Sequence, residues 1–65
     1  MIALNKLIKK AGGRRMEIQH DLKRPTDREW VAHVFTRFGE ASICKTFGSG
    51  STLELACEDA LRNWK

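Results

Sequence analysis

No stretch of this sequence approaches the roughly 18 uninterrupted apolar residues that a membrane span needs, and it has neither an internal repeat nor a low-complexity segment. A membrane-spanning chain and a disordered one are both excluded as readings. The opening residues, MIALNKLIKKAGG, are broken by Asn5 and Lys6 too early for the apolar stretch of a signal peptide. The expected setting is therefore intracellular and cytoplasmic. Only two cysteines occur, Cys44 and Cys57, without CxxC spacing. Each is expected to serve as a small buried hydrophobe, ahead of a disulfide, with a metal site last.

Catalytic constellations are equally scarce. His20 and His33 fall on different expected strands, with His20 on the core-facing side and His33 on the outer one, and neither has a third ligand or a nucleophile in the pattern. Asp27, Glu29 and Glu40 lie in or beside turns, where carboxylates are ordinarily just solvated. Ser49, Ser51 and Thr52 have no recognisable base. A chain of 65 residues leaves little volume for a preorganised pocket. The expectation is a non-enzyme with no cofactor, no metal and no small-molecule substrate.

What is present is the composition of an ordinary globular domain, 42% apolar and 31% charged, at a length that allows one domain over residues 1–65. The net charge of +4 is unevenly spread. Residues 1–28 carry eight basic side chains (Lys6, Lys9, Lys10, Arg14, Arg15, Lys23, Arg24 and Arg28) against three acidic ones, whereas residues 29–65 carry four against five. Such polarity raises the prospect of a polyanionic partner, usually nucleic acid, beside the equal alternative of a solvated basic face, which is the commoner role for any single one of these residues.

Periodicity gives the elements. Leu4, Leu7, Ile8 and Ala11 recur at helical spacing opposite Lys6, Lys9 and Lys10, and Gly12-Gly13 ends the run. A strand follows with Met16, Ile18, His20 and Leu22 on one face and Glu17, Gln19, Asp21 and Lys23 on the other. KRPTDRE reads as a turn around Pro25. WVAHVFTRF is a second strand, with Trp30, Ala32, Val34 and Phe38 on one side and Val31, His33, Phe35 and Arg37 on the other. After a reversal at Gly39-Glu40, ASICKTF is a third strand, in which Ala41, Ile43 and Phe47 share a side with Lys45.

Gly48-Ser49-Gly50 is expected to bend the chain. Leu53, Ala56, Cys57, Ala60, Leu61 and Trp64 then form the strongest helical stripe in the sequence, and Ser51 with Glu54 matches a capping box. The expected class is α+β, in the order α-β-β-β-α, with a three-stranded antiparallel sheet and both helices packed on one face.

This order and length resemble the double-stranded RNA-binding domain over nearly the whole chain. LNKL at residues 4–7 stands where that family has a Leu-Asn-x-Leu stretch. RPTDREW matches its Gly-Pro-x-His loop and the aromatic residue that leads the second strand, here Trp30. GSGSTLELAC matches its closing Gly-x-Gly-x-Ser-Lys-Lys-x-Ala-Lys motif. The departures are specific: Leu53 and Glu54 replace the paired lysines that touch phosphates across the major groove, Thr26 and Asp27 stand in place of the loop histidine, and Met16 replaces an aromatic.

The resemblance implies contact with RNA minor grooves through the first helix and the loop after the first strand. Lys6, Lys9, Lys10, Arg14 and Arg15 would then lie along a phosphate backbone, joined by Lys23, Arg24 and Arg28. The first reading is thus a small nucleic-acid-binding module for duplex RNA or DNA, monomeric or homodimeric.

The alternative is a protein-protein interaction module or inhibitor on the same fold. It would use an exposed patch of Val31, His33 and Phe35 on the open sheet face, or the acidic last helix with Glu54, Glu58 and Asp59. A phage-derived homodimer fits this alternative, since small phage proteins share the layout.

Overall fold

The computed structural model describes residues 1–35 and 44–65. Helix α1 spans Ile2–Ala11, strand β1 Met16–His20, strand β2 Trp30–Phe35, strand β3 Cys44–Gly50 and helix α2 Leu53–Arg62, with a short 3-10 turn at Thr26–Arg28. The strands form one antiparallel sheet in the order β1-β2-β3. This is the expected α+β arrangement of α-β-β-β-α. The reversal at Gly39-Glu40 and the placements of Arg37, Phe38, Ala41 and Ile43 lie outside the described residues.

Helix α1 stops where its sequence says it should. Gly12 takes the left-handed conformation, φ 57° and ψ 43°, and its N–H donates to the Ile8 carbonyl, a closure that costs a glycine little because it has no Cβ. The side turned to the core is Ala3, Leu7 and Ala11, with Leu4 partly covered. Ile8, expected on that side, is 52% exposed. The packed stripe is narrower than the apolar one because α1 rests chiefly on α2, and a helix-helix seam needs only one row of side chains.

Strand β1 ends at His20 instead of continuing through Leu22, which is exposed. The carboxylate of Asp21 accepts the Lys23 N–H at 2.9 Å, and the Arg24 N–H donates to the Asp21 carbonyl at 3.2 Å. Asp21 therefore turns the chain before Leu22 reaches the sheet. His20 does lie on the helix side, opposite Trp30 in register, and stacks on the indole with centroids 4.0 Å apart.

Two corrections concern the segment before α2. Gly48-Ser49-Gly50 does not bend; all three residues belong to β3 and pair with β2, Gly48 opposite Ala32 and Gly50 opposite Trp30. The glycines are needed for a close approach. A Cβ on Gly48 would lie 2.2 Å from the Ala60 nitrogen and 2.3 Å from the Ala56 carbonyl oxygen, and one on Gly50 would lie 2.7 Å from the Leu55 Cβ. Helix backbone thus sits on strand backbone. Buried Thr46, two residues earlier on the same face, donates its hydroxyl to the Ala60 carbonyl, which gives a buried polar group its partner.

The capping box also differs from expectation. Thr52, not Ser51, is the N-cap, its hydroxyl accepting the Leu55 N–H at 3.1 Å. Glu54 turns away from its own helix and accepts the Ala3 N–H at 2.9 and 3.1 Å through its two carboxylate oxygens. Helix α1 has no acidic residue in its first turn and no side-chain cap of its own, so Glu54 supplies both the acceptor and the negative charge its N-terminus lacks. The beginnings of the two helices are joined, and their ends meet too, with Lys10 of α1 beside Trp64 just past α2. They run side by side in the same direction over one face of the sheet.

The core is made from small residues: Ala3, Leu7, Ala11, Ala32, Val34, Ala56, Cys57 and Ala60, ringed by Leu4, Met16, Trp30, Leu53, Leu61 and Trp64. Both described cysteines are free thiols, Cys57 fully buried and Cys44 half-buried. Burial, with a smaller contribution from Glu54, pushes the Cys57 thiol above its ordinary value, so it packs as a neutral hydrophobe.

Candidate nucleic-acid interface

The eight basic residues of the N-terminal half divide into three groups. On α1, Lys6 and Lys9 are exposed and have no hydrogen-bond or carboxylate partner among the described residues, while Lys10 holds its ammonium 5.2 Å from the Trp64 ring centroid. At the junction with β1, Arg14 and Arg15 do different work. Arg14 donates from Nη1 to the Ala11 and Lys10 carbonyls at 2.9 and 3.4 Å, closing the end of α1, and its guanidinium lies 5.4 Å from the same indole. Its Nε is buried without a partner.

Arg15 pairs with Glu17 and lies 4.7 Å over the Phe35 ring on the open face of the sheet. In the β1–β2 turn, Arg24 donates from Nε to the Arg28 carbonyl at 2.8 Å, which stiffens the turn, and Lys23 and Arg28 are exposed without carboxylate partners among the described residues.

The start of the helix and the turn belong to one end of the molecule. Glu54 ties the start of α1 to the start of α2, which follows Gly50, and Gly50 pairs with Trp30 at the turn end of β2. Lys6, one turn into α1, stands nearest that end. Lys9 and Lys10 continue along the helix, Lys10 roughly 6 Å beyond Lys6 at 1.5 Å per residue, and Arg14 lies past its end. Arg14 and Arg15 reach the opposite end of the sheet, so the eight cations do not form one cluster.

Asp21 and the exposed Asp27 share the β1–β2 turn with Lys23 and Arg28, without an ion pair to either, whereas Asp59, Glu29 and Glu54 are engaged. Asp59 accepts from the Arg62 guanidinium at 2.8 Å and from the Ser49 N–H at 3.1 Å. The Arg62 bond above all, aided by the Ser49 N–H, holds its carboxyl below the ordinary value. Glu29 meets His20 Nε2 at 3.2 Å. Glu54, at the position where the resembled family carries a lysine, is committed to α1.

Lys45 was not part of the sequence-derived set, yet its ammonium is 5.6 Å from the Trp64 centroid. With Lys10 and Arg14 it surrounds that indole with three cations. Nothing in the linear pattern announces this, because the residues come from three separate elements.

The alternative patch changes membership. Val31 is only 4% exposed; it sits on the central strand between Gln19 and Ser49, at the end where the 3-10 turn folds back against β3. His33 and Phe35 remain half-buried with rings 4.1 Å apart, and Phe47 of β3, 42% exposed, meets His33 edge-on at 5.7 Å. The accessible aromatic patch is therefore Phe35, His33 and Phe47.

Among the described residues no helix is long and apolar enough to cross a membrane, and no group of three or more His, Cys, Asp or Glu is placed to hold a metal ion. Comparison with protein-family models, with curated proteins and with solved structures gives no match.

Proposed function

We propose that this chain is a non-enzymatic module that binds double-helical nucleic acid through α1 and the β1–β2 turn. The observation that carries the reading is the set of exposed cations, Lys6 and Lys9 on α1 with Lys23 and Arg28 in the β1–β2 turn, that have no carboxylate partner among the described residues. Uncompensated charge is what a phosphate backbone rewards, since each contact releases condensed counterions. The longest dimension, 33 Å, is close to one turn of a duplex, roughly 34 Å.

Recognition of this kind reads backbone spacing and groove shape, not base sequence. The acidic first turn of α2 faces α1 through Glu54 and contributes no phosphate contact. Titration at low salt with duplex RNA, duplex DNA and single strands of equal length tests the reading. Duplexes, RNA or DNA, are expected to bind at least tenfold tighter than single strands. Absence of binding, or single strands binding as tightly as duplexes, would overturn it.

A further inference from the structure

The two outer strands of the sheet are treated differently. The free edge of β3 is closed by α2: Asp59 accepts the Ser49 N–H at 3.1 Å, and Asn63 Nδ2 donates to the Phe47 carbonyl at 3.0 Å. The free edge of β1 is not. Its ladder to β2 runs through the odd positions, as the flanking bonds from the Phe35 N–H to the Arg15 carbonyl (2.9 Å) and from the Asp21 N–H to the Glu29 carbonyl (2.8 Å) mark. The main-chain groups of Met16, Ile18 and His20 therefore point outward, and none has a hydrogen-bond partner among the described residues. Strand β1, MEIQH, also lacks the proline, lysine or bulge with which edges are commonly blunted.

We infer that β1 is a pairing edge for a second copy of this chain, the two strands running antiparallel with Ile18 opposite Ile18 about a two-fold axis. This register joins Met16 to His20, Ile18 to Ile18 and His20 to Met16, all outward-facing positions, so about six main-chain hydrogen bonds form. It is also the register that charge selects. It sets Arg15 of each copy opposite Asp21 of the other and Glu17 opposite Gln19.

Sliding by one pair in one direction puts Glu17 against Glu17. Sliding in the other direction puts Glu17 against Asp21 and Arg15 against Lys23. Like charges directly opposite one another are destabilising. Ile18, 39% exposed in the single chain, gains its twin as a cross-strand neighbour on the helix side. The result is a six-stranded sheet with four helices on one face and the Phe35, His33 and Phe47 patches of both copies on the other.

The test needs no nucleic acid. Light scattering on the full chain from about 1 µM to 1 mM is expected to give twice the chain mass at the upper end, with the Ile18, His20 and Met16 amides gaining hydrogen-exchange protection as concentration rises. Ile18→Pro removes an outward N–H that the intramolecular ladder does not use, and Ile18→Lys sets like charges opposite each other. Each is expected to weaken association at least tenfold while the far-ultraviolet dichroism stays unchanged, and Ile18→Lys alone decides the matter should the proline variant fail to fold. A monomer throughout, or a dimer that survives Ile18→Lys without loss, would overturn the proposal.

Discussion

Gly48→Ala is expected to leave most of the chain unfolded at room temperature. The added Cβ would meet the Ala60 nitrogen at 2.2 Å and the Ala56 carbonyl oxygen at 2.3 Å. Both are helix backbone and cannot rotate aside, so α2 as a whole must lift from β3. Lifting it withdraws Ala56, Cys57 and Ala60 from the core and breaks the bond from Thr46 to the Ala60 carbonyl.

Overpacking in a closed core costs about 1–3 kcal/mol even when side chains adjust, and more when they cannot. A domain this small has on the order of 3–10 kcal/mol in total. Ser49→Ala, between the two glycines but on the other face, is expected to stay within about 1 kcal/mol of the parent. Urea titration followed by circular dichroism checks both, and a Gly48→Ala midpoint close to the parent's would contradict the close helix-strand contact.

Reversing Lys6 and Lys9 to glutamate is expected to lower duplex affinity by on the order of 100-fold at about 0.1 M salt, since two phosphate contacts become two repulsions. The fold should persist because neither side chain has a partner to lose. Some stability will go: Lys9 lies in the last turn of α1, where a cation complements the helix dipole by about 0.3–1 kcal/mol and a glutamate opposes it. Native dichroism with lost binding is the expected pair of observations. Unchanged affinity would remove α1 from the interface.

Much of this architecture was legible in the sequence, and the exceptions have physical causes. Periods of two and near 3.6 located both helices and the cores of the strands, because burial on one face imposes those spacings. Gly-Ser-Gly read as a bend because glycine commonly serves turns, whereas here its missing side chain admits a helix, a use visible only once Ala56 and Ala60 face it. Ser51 with Glu54 satisfied the capping spacing, but a neighbouring threonine could cap instead, and the unprotected start of α1, fifty-one residues away in sequence, recruited the glutamate.

Val31 was misjudged because alternation assigns a face but not how much of that face is covered, and Leu22 because the Asp21 turn ends β1 before it. Among the cations, charge density was apparent from the sequence. Which of them are engaged, Arg14 as a helix cap and Arg15 with Glu17, depended on local side-chain geometry that charge counting does not show.

The salt dependence of duplex affinity tests the central claim most directly. A plot of log affinity against log salt between about 50 and 200 mM should be linear with a slope of about −3.5 to −5.5, as four to six phosphate contacts require at roughly 0.9 per contact. A slope near zero, or no duplex binding at the lowest salt, would contradict the account.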